Sequence, residues 1–201
     1  MNRIPSHIGI IPDGNRRWAM RNGLNKEDGY EHGLFPGLQL LRAAKRQSVK
    51  ELTYYGFTAD NCKRPKTQVT AFAEACCKAA ELIKQEGVSV RVFGNTGSSC
   101  FPSALRPYAE RQHASDAEMK VNLLVNYGWE WDLKNGWLSR EIPRIDLVIR
   151  WGGMCRLSGF LPIQTVYSDF FIVKDLWPDF RETHFNDALA WYSKQDVTLG
   201  G

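Results

Sequence analysis

The sequence lacks the features that define several common protein classes. No apolar stretch approaches the roughly 20 residues needed to span a bilayer, so no membrane span is expected. The segment Met1-Asn2-Arg3-Ile4-Pro5-Ser6-His7 carries no signal-peptide pattern. There is no C-x-x-C pair, and the cysteines number five: Cys62, Cys76, Cys77, Cys100 and Cys155. That odd, unpaired set argues against zinc and against a disulfide framework, and predicts reduced thiols in a cytoplasmic protein. Neither G-x-G-x-x-G nor G-x-x-x-x-G-K-[ST] occurs, so dinucleotide and P-loop readings are weak. One-sided charge is also missing. A net charge of +4 is too mild for a nucleic-acid footprint but suits a small anionic ligand if the basic residues cluster.

What is present is the composition of one folded domain over residues 1–201. The chain is 43% hydrophobic and 12% aromatic, enough to bury a sizeable core. Short apolar runs alternate with longer amphipathic ones. Strands are predicted at His7–Pro12, Glu51–Phe57, Val88–Phe93, Lys120–Val125, Ile145–Ile149 and Asp169–Phe171. Helices are predicted at Gly29–Lys45, Thr67–Lys84, Ser103–Ser115, Trp129–Leu138 and Glu182–Ser193. The alternation implies an α/β fold with a central parallel sheet flanked by helices. Ligands of such sheets bind beyond the carboxyl ends of the strands.

Three polar segments follow predicted strands. Asp13-Gly14-Asn15-Arg16-Arg17-Trp18 joins a strand to a helix, where backbone N–H groups and two guanidiniums can hold an anion and a lone carboxylate can hold its divalent cation. Taken alone, it is equally compatible with a capping aspartate and solvated arginines. Phe57 to Pro65 brings Asn61 and Arg64, though alone it reads as a polar loop stopped by proline. Asp146 to Phe160 brings Arg150, Arg156 and Ser158, with Gly152 and Gly153 to allow close backbone approach.

Together these segments resemble the cis-prenyl diphosphate synthases, the undecaprenyl diphosphate synthase-like prenyltransferases. That family's D-G-N-x-R-W element matches Asp13 to Trp18, and its F-S-x-E-N-W-x-R-P element matches Phe57 to Pro65. N-Y-G matches Asn126 to Gly128, and the long D-L-x-I-R-T-G-G-E-x-R-x-S-N-F element matches Asp146 to Phe160. Q-x-x-Y-x-E and L-W-P-D-F follow at Gln164 to Asp169 and Leu176 to Phe180. The resemblance implies an apolar tunnel, a homodimer and two diphosphate sites. An allylic donor's diphosphate would sit at Gly14, Asn15, Arg16, Arg17 and Arg64, and the acceptor's at Arg150, Arg156 and Ser158. Mg²⁺ would bind Asp13, with Asp169 as a second carboxylate from a partner subunit. Asn61, Ser158, Gln164 and Tyr167 are polar candidates for proton removal.

Several positions depart from that pattern. Lys26 and Tyr30 stand where the family has a basic residue and a histidine, and Asp28-Gly29-Tyr30 resembles the lavandulyl-type subgroup. Met154 replaces the glutamate, Gly159 the asparagine, Trp151 the threonine and Cys62 the tryptophan of these elements, and Pro162 again resembles the lavandulyl type. The connection from Trp137 to Ile145 is short. The expected function is a short, branched, lavandulyl-type condensation with dimethylallyl diphosphate as acceptor, Phe72 and Phe93 being wall candidates. The alternatives are a head-to-tail synthase using isopentenyl diphosphate, a non-catalytic partner subunit and an unrelated phosphate-binding module.

Overall fold

Five apolar segments become fully or mostly buried strands because both faces of a parallel sheet are covered. In the computed structural model, which describes residues 3–114 and 116–196, these are β1 (His7–Ile11), β2 (Glu51–Thr58), β3 (Ser89–Phe93), β4 (Lys120–Tyr127) and β5 (Leu147–Arg150). The half-buried β6 (Asp169–Ile172) completes a six-stranded sheet of order β3-β4-β2-β1-β5-β6. Every pairing is parallel.

The helices are α1 (Asn15–Arg21), α2 (Gly29–His32), α3 (Leu34–Arg46), α4 (Lys66–Gln85), α5 (Arg106–Ala109), α6 (Trp129–Lys134) and α7 (Glu182–Tyr192). One sheet face carries the larger core, with Leu40, Leu41, Phe57, Ala80, Trp177 and Phe185. The other carries Tyr55, Leu124, Tyr127, Phe160 and Leu161.

Three helices differ from the sequence expectation. The run predicted from Gly29 to Lys45 divides at Gly33, whose carbonyl accepts a hydrogen bond from Trp177 Nε1 at 2.8 Å. The helix predicted at Ser103–Ser115 shrinks to a 3-10 turn and α5; its last residue, Ser115, lies outside the described residues. His113 leaves the helical path to meet Ser89 Oγ at 3.0 Å and Asn122 Oδ1 at 2.9 Å. The helix predicted at Trp129–Leu138 ends at Lys134, and Asp132 then accepts from the Ser139 amide at 2.9 Å, tying down a separate 3-10 turn.

Candidate active site

The carboxyl ends of β1, β2 and β5 open into a cleft of about 560 Å³. Its lining includes Asp13, Gly14, Asn15, Arg16 and Arg17 from the β1–α1 junction, Asn61 and Arg64 after β2, and Arg150, Arg156 and Ser158 at and after β5. Lys26 and Tyr30 also line it. Six cationic side chains face two carboxylates, Asp13 and Asp60, so the chain's mild positive excess is gathered in one place. α1 is only seven residues long, so the guanidiniums rather than a helix dipole set the potential.

Asp13 sits between two groups of arginines. Its Oδ2 accepts from Arg150 Nη2 at 2.8 Å, and its Oδ1 lies 3.3 Å from Arg17 Nη2. Arg150 is buried, and its Nη1 also donates to Ser158 Oγ at 3.0 Å and to the carbonyl of Arg156. Arg17 Nη1 donates to the Gly152 carbonyl at 3.0 Å, joining the first loop to the third. On the other flank Arg64 Nη1 donates to the Tyr30 hydroxyl at 2.9 Å. Buried polar atoms without a protein partner include Asn15 Oδ1, Arg16 Nε and Arg150 Nε, all from cleft residues. Unsatisfied polar atoms gathered at one opening mark a site completed by a ligand.

Asn61 is fixed by a reciprocal cap. Its Oδ1 accepts from the Thr58 amide at 3.1 Å, while its own amide donates to Thr58 Oγ1 at 3.3 Å. The amide oxygen already accepts one bond and an amide is not basic, so Asn61, though it lines the cleft, is a poor proton acceptor.

Gln164, Tyr167 and Asp169 do not reach this cleft. Because β6 runs parallel to β5, the intervening chain must return to the amino end of the sheet before β6 begins. Asp169 accordingly pairs with Leu147, the first residue of β5, whereas the cleft lies at Arg150. Gln164 is buried near that lower end: its carbonyl accepts from Ile145, and its Nε2 donates to Ser139 O at 2.7 Å. Tyr167 is 53% exposed beneath the Arg144 guanidinium, and Asp169 lies 3.7 Å from Arg3. Trp151 also leaves the acceptor wall. It is fully buried against Trp177 at 4.8 Å, and its Nε1 reaches His184 Nδ1 at 3.4 Å.

Two further cavities adjoin the cleft. One is an apolar pocket of about 100 Å³ that shares Pro12, Asn15, Tyr30, Gly56 and Phe72 with the cleft. The other is a cavity of about 800 Å³ on the Ser158 side, lined by Trp129, Gly159, Tyr127 and Tyr55 among others. The first lies where an apolar tunnel was expected, with Phe72 in its wall, whereas Phe93 lines a different cavity; nothing in the sequence reading pointed to the second.

Comparison with known proteins fits this geometry. A family model described as "Putative undecaprenyl diphosphate synthase" matches residues 11–140 and 134–200. The isoprenyl transferase of Thermotoga maritima is 31% identical over 229 residues, covering 99% of this chain and 98% of that protein. The (2E,6E)-farnesyl-diphosphate-specific ditrans,polycis-undecaprenyl-diphosphate synthase of Pasteurella multocida is 29% identical over 231 residues, covering 100% and 96%. Both alignments are longer than 201 residues, so the relatives carry segments that this chain lacks. The two family-model segments meet at 134–140, beside the short connection to Ile145. Among solved structures, lavandulyl diphosphate synthase from Lavandula x intermedia, in complex with dimethylallyl diphosphate, superposes with a TM-score of 0.79 at 23% identity, covering 98% of this chain and 99% of that one. A cationic cleft at the carboxyl edge of a six-stranded parallel sheet, matched over nearly the whole chain, places this protein in the undecaprenyl diphosphate synthase family of prenyltransferases.

Proposed function

We propose that the protein condenses an allylic diphosphate donor with dimethylallyl diphosphate, giving a short branched diphosphate of 10 or 15 carbons. The observation that carries the reading is on the acceptor side. Gly159, where the family pattern has asparagine, lies directly under Trp129: a Cβ there would fall 2.5 Å from Trp129 Cδ1. Loss of that side chain lets the indole pack onto Gly159 in the cavity that adjoins the cleft at Ser158 and so reshapes the acceptor-side wall, while Arg150, Arg156 and Ser158 keep their grip. Head-to-tail condensation uses the terminal carbon of isopentenyl diphosphate as nucleophile. Branching uses C2 of dimethylallyl diphosphate, so the same anion grip must present a differently placed alkene.

The roles divide about Asp13. Arg16, Arg17 and Arg64 hold the donor's diphosphate, with Gly14 and Asn15 completing the turn. Arg150, Arg156 and Ser158 hold the acceptor's. One carboxylate facing two diphosphate sites fits Mg²⁺, which keeps several waters and combines one or two carboxylates with substrate phosphates. Asp13 would hold the metal, which would supply charge neutralisation for the departing diphosphate. The arginines stabilise the same charge from fixed positions, and the aromatic walls exclude water from the allylic cation. The proton then leaves to the acceptor's own diphosphate, directly or relayed through the hydroxyl of Ser158, the one hydroxyl among the expected candidates that lies in the cleft.

A homodimer completes this reading. Asp169 stands at the far end of its own sheet, so it can join Asp13 only from another copy; Asp60 is the second carboxylate that this chain itself brings to the cleft. Sedimentation at assay concentration should show a dimer, and a fully active monomer would exclude it.

A second reading, head-to-tail elongation with isopentenyl diphosphate, draws on the activity named for the Pasteurella relative. Incubation with dimethylallyl and geranyl diphosphates, without isopentenyl diphosphate, decides between them. A branched C10 or C15 alcohol after dephosphorylation supports the proposal. A strict requirement for isopentenyl diphosphate with linear products replaces it by the second reading.

A further inference from the structure

Tyr30 and Phe72 line both the cationic cleft and the apolar pocket. Their rings lie flat on one another, with centroids 4.3 Å apart and planes 4° apart. Phe57 braces Phe72 edge-on at 5.2 Å. Tyr30 is only 5% exposed, and its hydroxyl accepts the bond from Arg64. Burial raises the phenol's pKa despite the opposing pull of Arg64, so the hydroxyl is neutral and keeps its own proton to donate. No protein acceptor for that proton occurs among the described residues.

The backbone fixes this placement. At Gly29 the chain passes so close to α1 that a Cβ would fall 2.1 Å from the Asn15 carbonyl oxygen. Glycine before Tyr30 therefore locks α2 onto the junction that carries Asn15, Arg16 and Arg17. The Asp28-Gly29-Tyr30 element is explained as a device for holding one aromatic ring at the boundary of two cavities.

We propose that the Tyr30–Phe72 pair is the partition that sets prenyl-chain length, and that the Tyr30 hydroxyl positions Arg64 toward the donor's diphosphate. The inference rests on the reading of the cleft as a diphosphate site. A donor held by Arg16, Arg17 and Arg64 must send its carbon chain past this pair. Beyond it lie only about 100 Å³, against about 560 Å³ in the cleft. Removing either ring merges the two spaces; removing only the hydroxyl leaves the partition standing and frees Arg64.

Binding measurements test this without turnover, and so separately from product identity. Calorimetry with magnesium would compare thiolo analogues of geranyl and farnesyl diphosphate, and inorganic pyrophosphate, on wild type, Tyr30→Ala, Phe72→Ala and Tyr30→Phe. Tyr30→Ala and Phe72→Ala should shift the farnesyl-to-geranyl affinity ratio at least about tenfold toward farnesyl, as two or more newly buried CH₂ groups would. Tyr30→Phe should keep the wild-type ratio and weaken pyrophosphate about three- to tenfold, the loss of one positioning hydrogen bond. If both alanine variants show native far-UV circular dichroism and keep the wild-type ratio, the partition is wrong. Unchanged pyrophosphate affinity in Tyr30→Phe removes the positioning role. Wild type that binds no pyrophosphate overturns the diphosphate cleft and the partition with it.

Discussion

Asp13 has a structural task and a chemical one, and two substitutions separate them. Structurally, its Oδ2 is the acceptor for Arg150, whose side chain is only 5% exposed. Asp13→Ala leaves a buried guanidinium N–H without that partner. Breaking a fully buried pair costs about 3–5 kcal/mol, but the Asp13 side chain is 31% exposed, so water screens and partly replaces it. A loss of about 1–2 kcal/mol is expected, within the range for one unsatisfied buried donor. In a chain of this size that lowers Tm by about 2–8 °C. Asp13→Asn keeps an oxygen for Arg150 and should lose less. Both variants lose the negative charge and should lose turnover alike, by about 10²-fold or more, because only the ionising transition state needs it. Thermal unfolding and initial rates at saturating substrate read the two effects separately. Near-normal kcat in Asp13→Asn would refute the chemical role, and an unchanged Tm in Asp13→Ala would refute the structural one.

Arg156→Ala should raise the acceptor KM by about 10-fold or more, the value of a charge-assisted contact, with little change in the donor KM; equal effects on both would contradict the two-site division. Gly159→Ala places a methyl group 2.5 Å from Trp129 at a backbone φ of +79°, so it should lower stability by about 1–3 kcal/mol and alter discrimination between dimethylallyl and isopentenyl diphosphates. Unchanged Tm and unchanged selectivity would remove Trp129 from the acceptor wall. His7 is buried beside Thr53, and burial lowers its pKa from 6.5 to about 4. The unfolded chain therefore binds the proton first on acidification. Its contribution is whole above pH 6.5 and is lost as pH falls to about 4, amounting to about 3 kcal/mol at 1.36 kcal/mol per pKa unit. Wild type minus His7→Gln, compared by urea unfolding at pH 7 and pH 4.5, should show that slope, and parallel curves would refute it.

The sheet was legible because its strands are short and rich in buried apolar residues, and each of the six predicted strands became one, the half-buried β6 included. The helices were less so. Apolar spacing reported where helices lie but not where tertiary bonds cut them: Trp177 takes the Gly33 carbonyl, and His113 is drawn off to Asn122. Trp177 lies 144 residues from Gly33, and even Asn122, nine residues from His113, sits on a separate strand. The cleft's charged half was legible for a different reason. Its side chains come from three short loops that each follow a strand, and the rule that ligands sit beyond the carboxyl ends brings the loops together before any coordinate is known.

The same rule, carried one step further, accounts for what was misplaced. Gln164 and Tyr167 follow Ser158 closely in sequence, and the resemblance joined them to one site; Asp169 was expected there from a partner subunit. A parallel β6 forbids that within one chain, since residues just before a strand lie at its amino end. The turn that sends them there is visible in the backbone, where Gly152, Gly153, Ser158, Gly159 and Leu161 all have positive φ. These positions turn the chain sharply on both sides of Arg156. Arg150 through Ser158 therefore belong to the carboxyl-end cleft and Gln164 through Asp169 to the opposite edge. A contribution from that edge to catalysis requires a second molecule, which ties the question of Asp169 to the oligomeric state rather than to the geometry of a single chain.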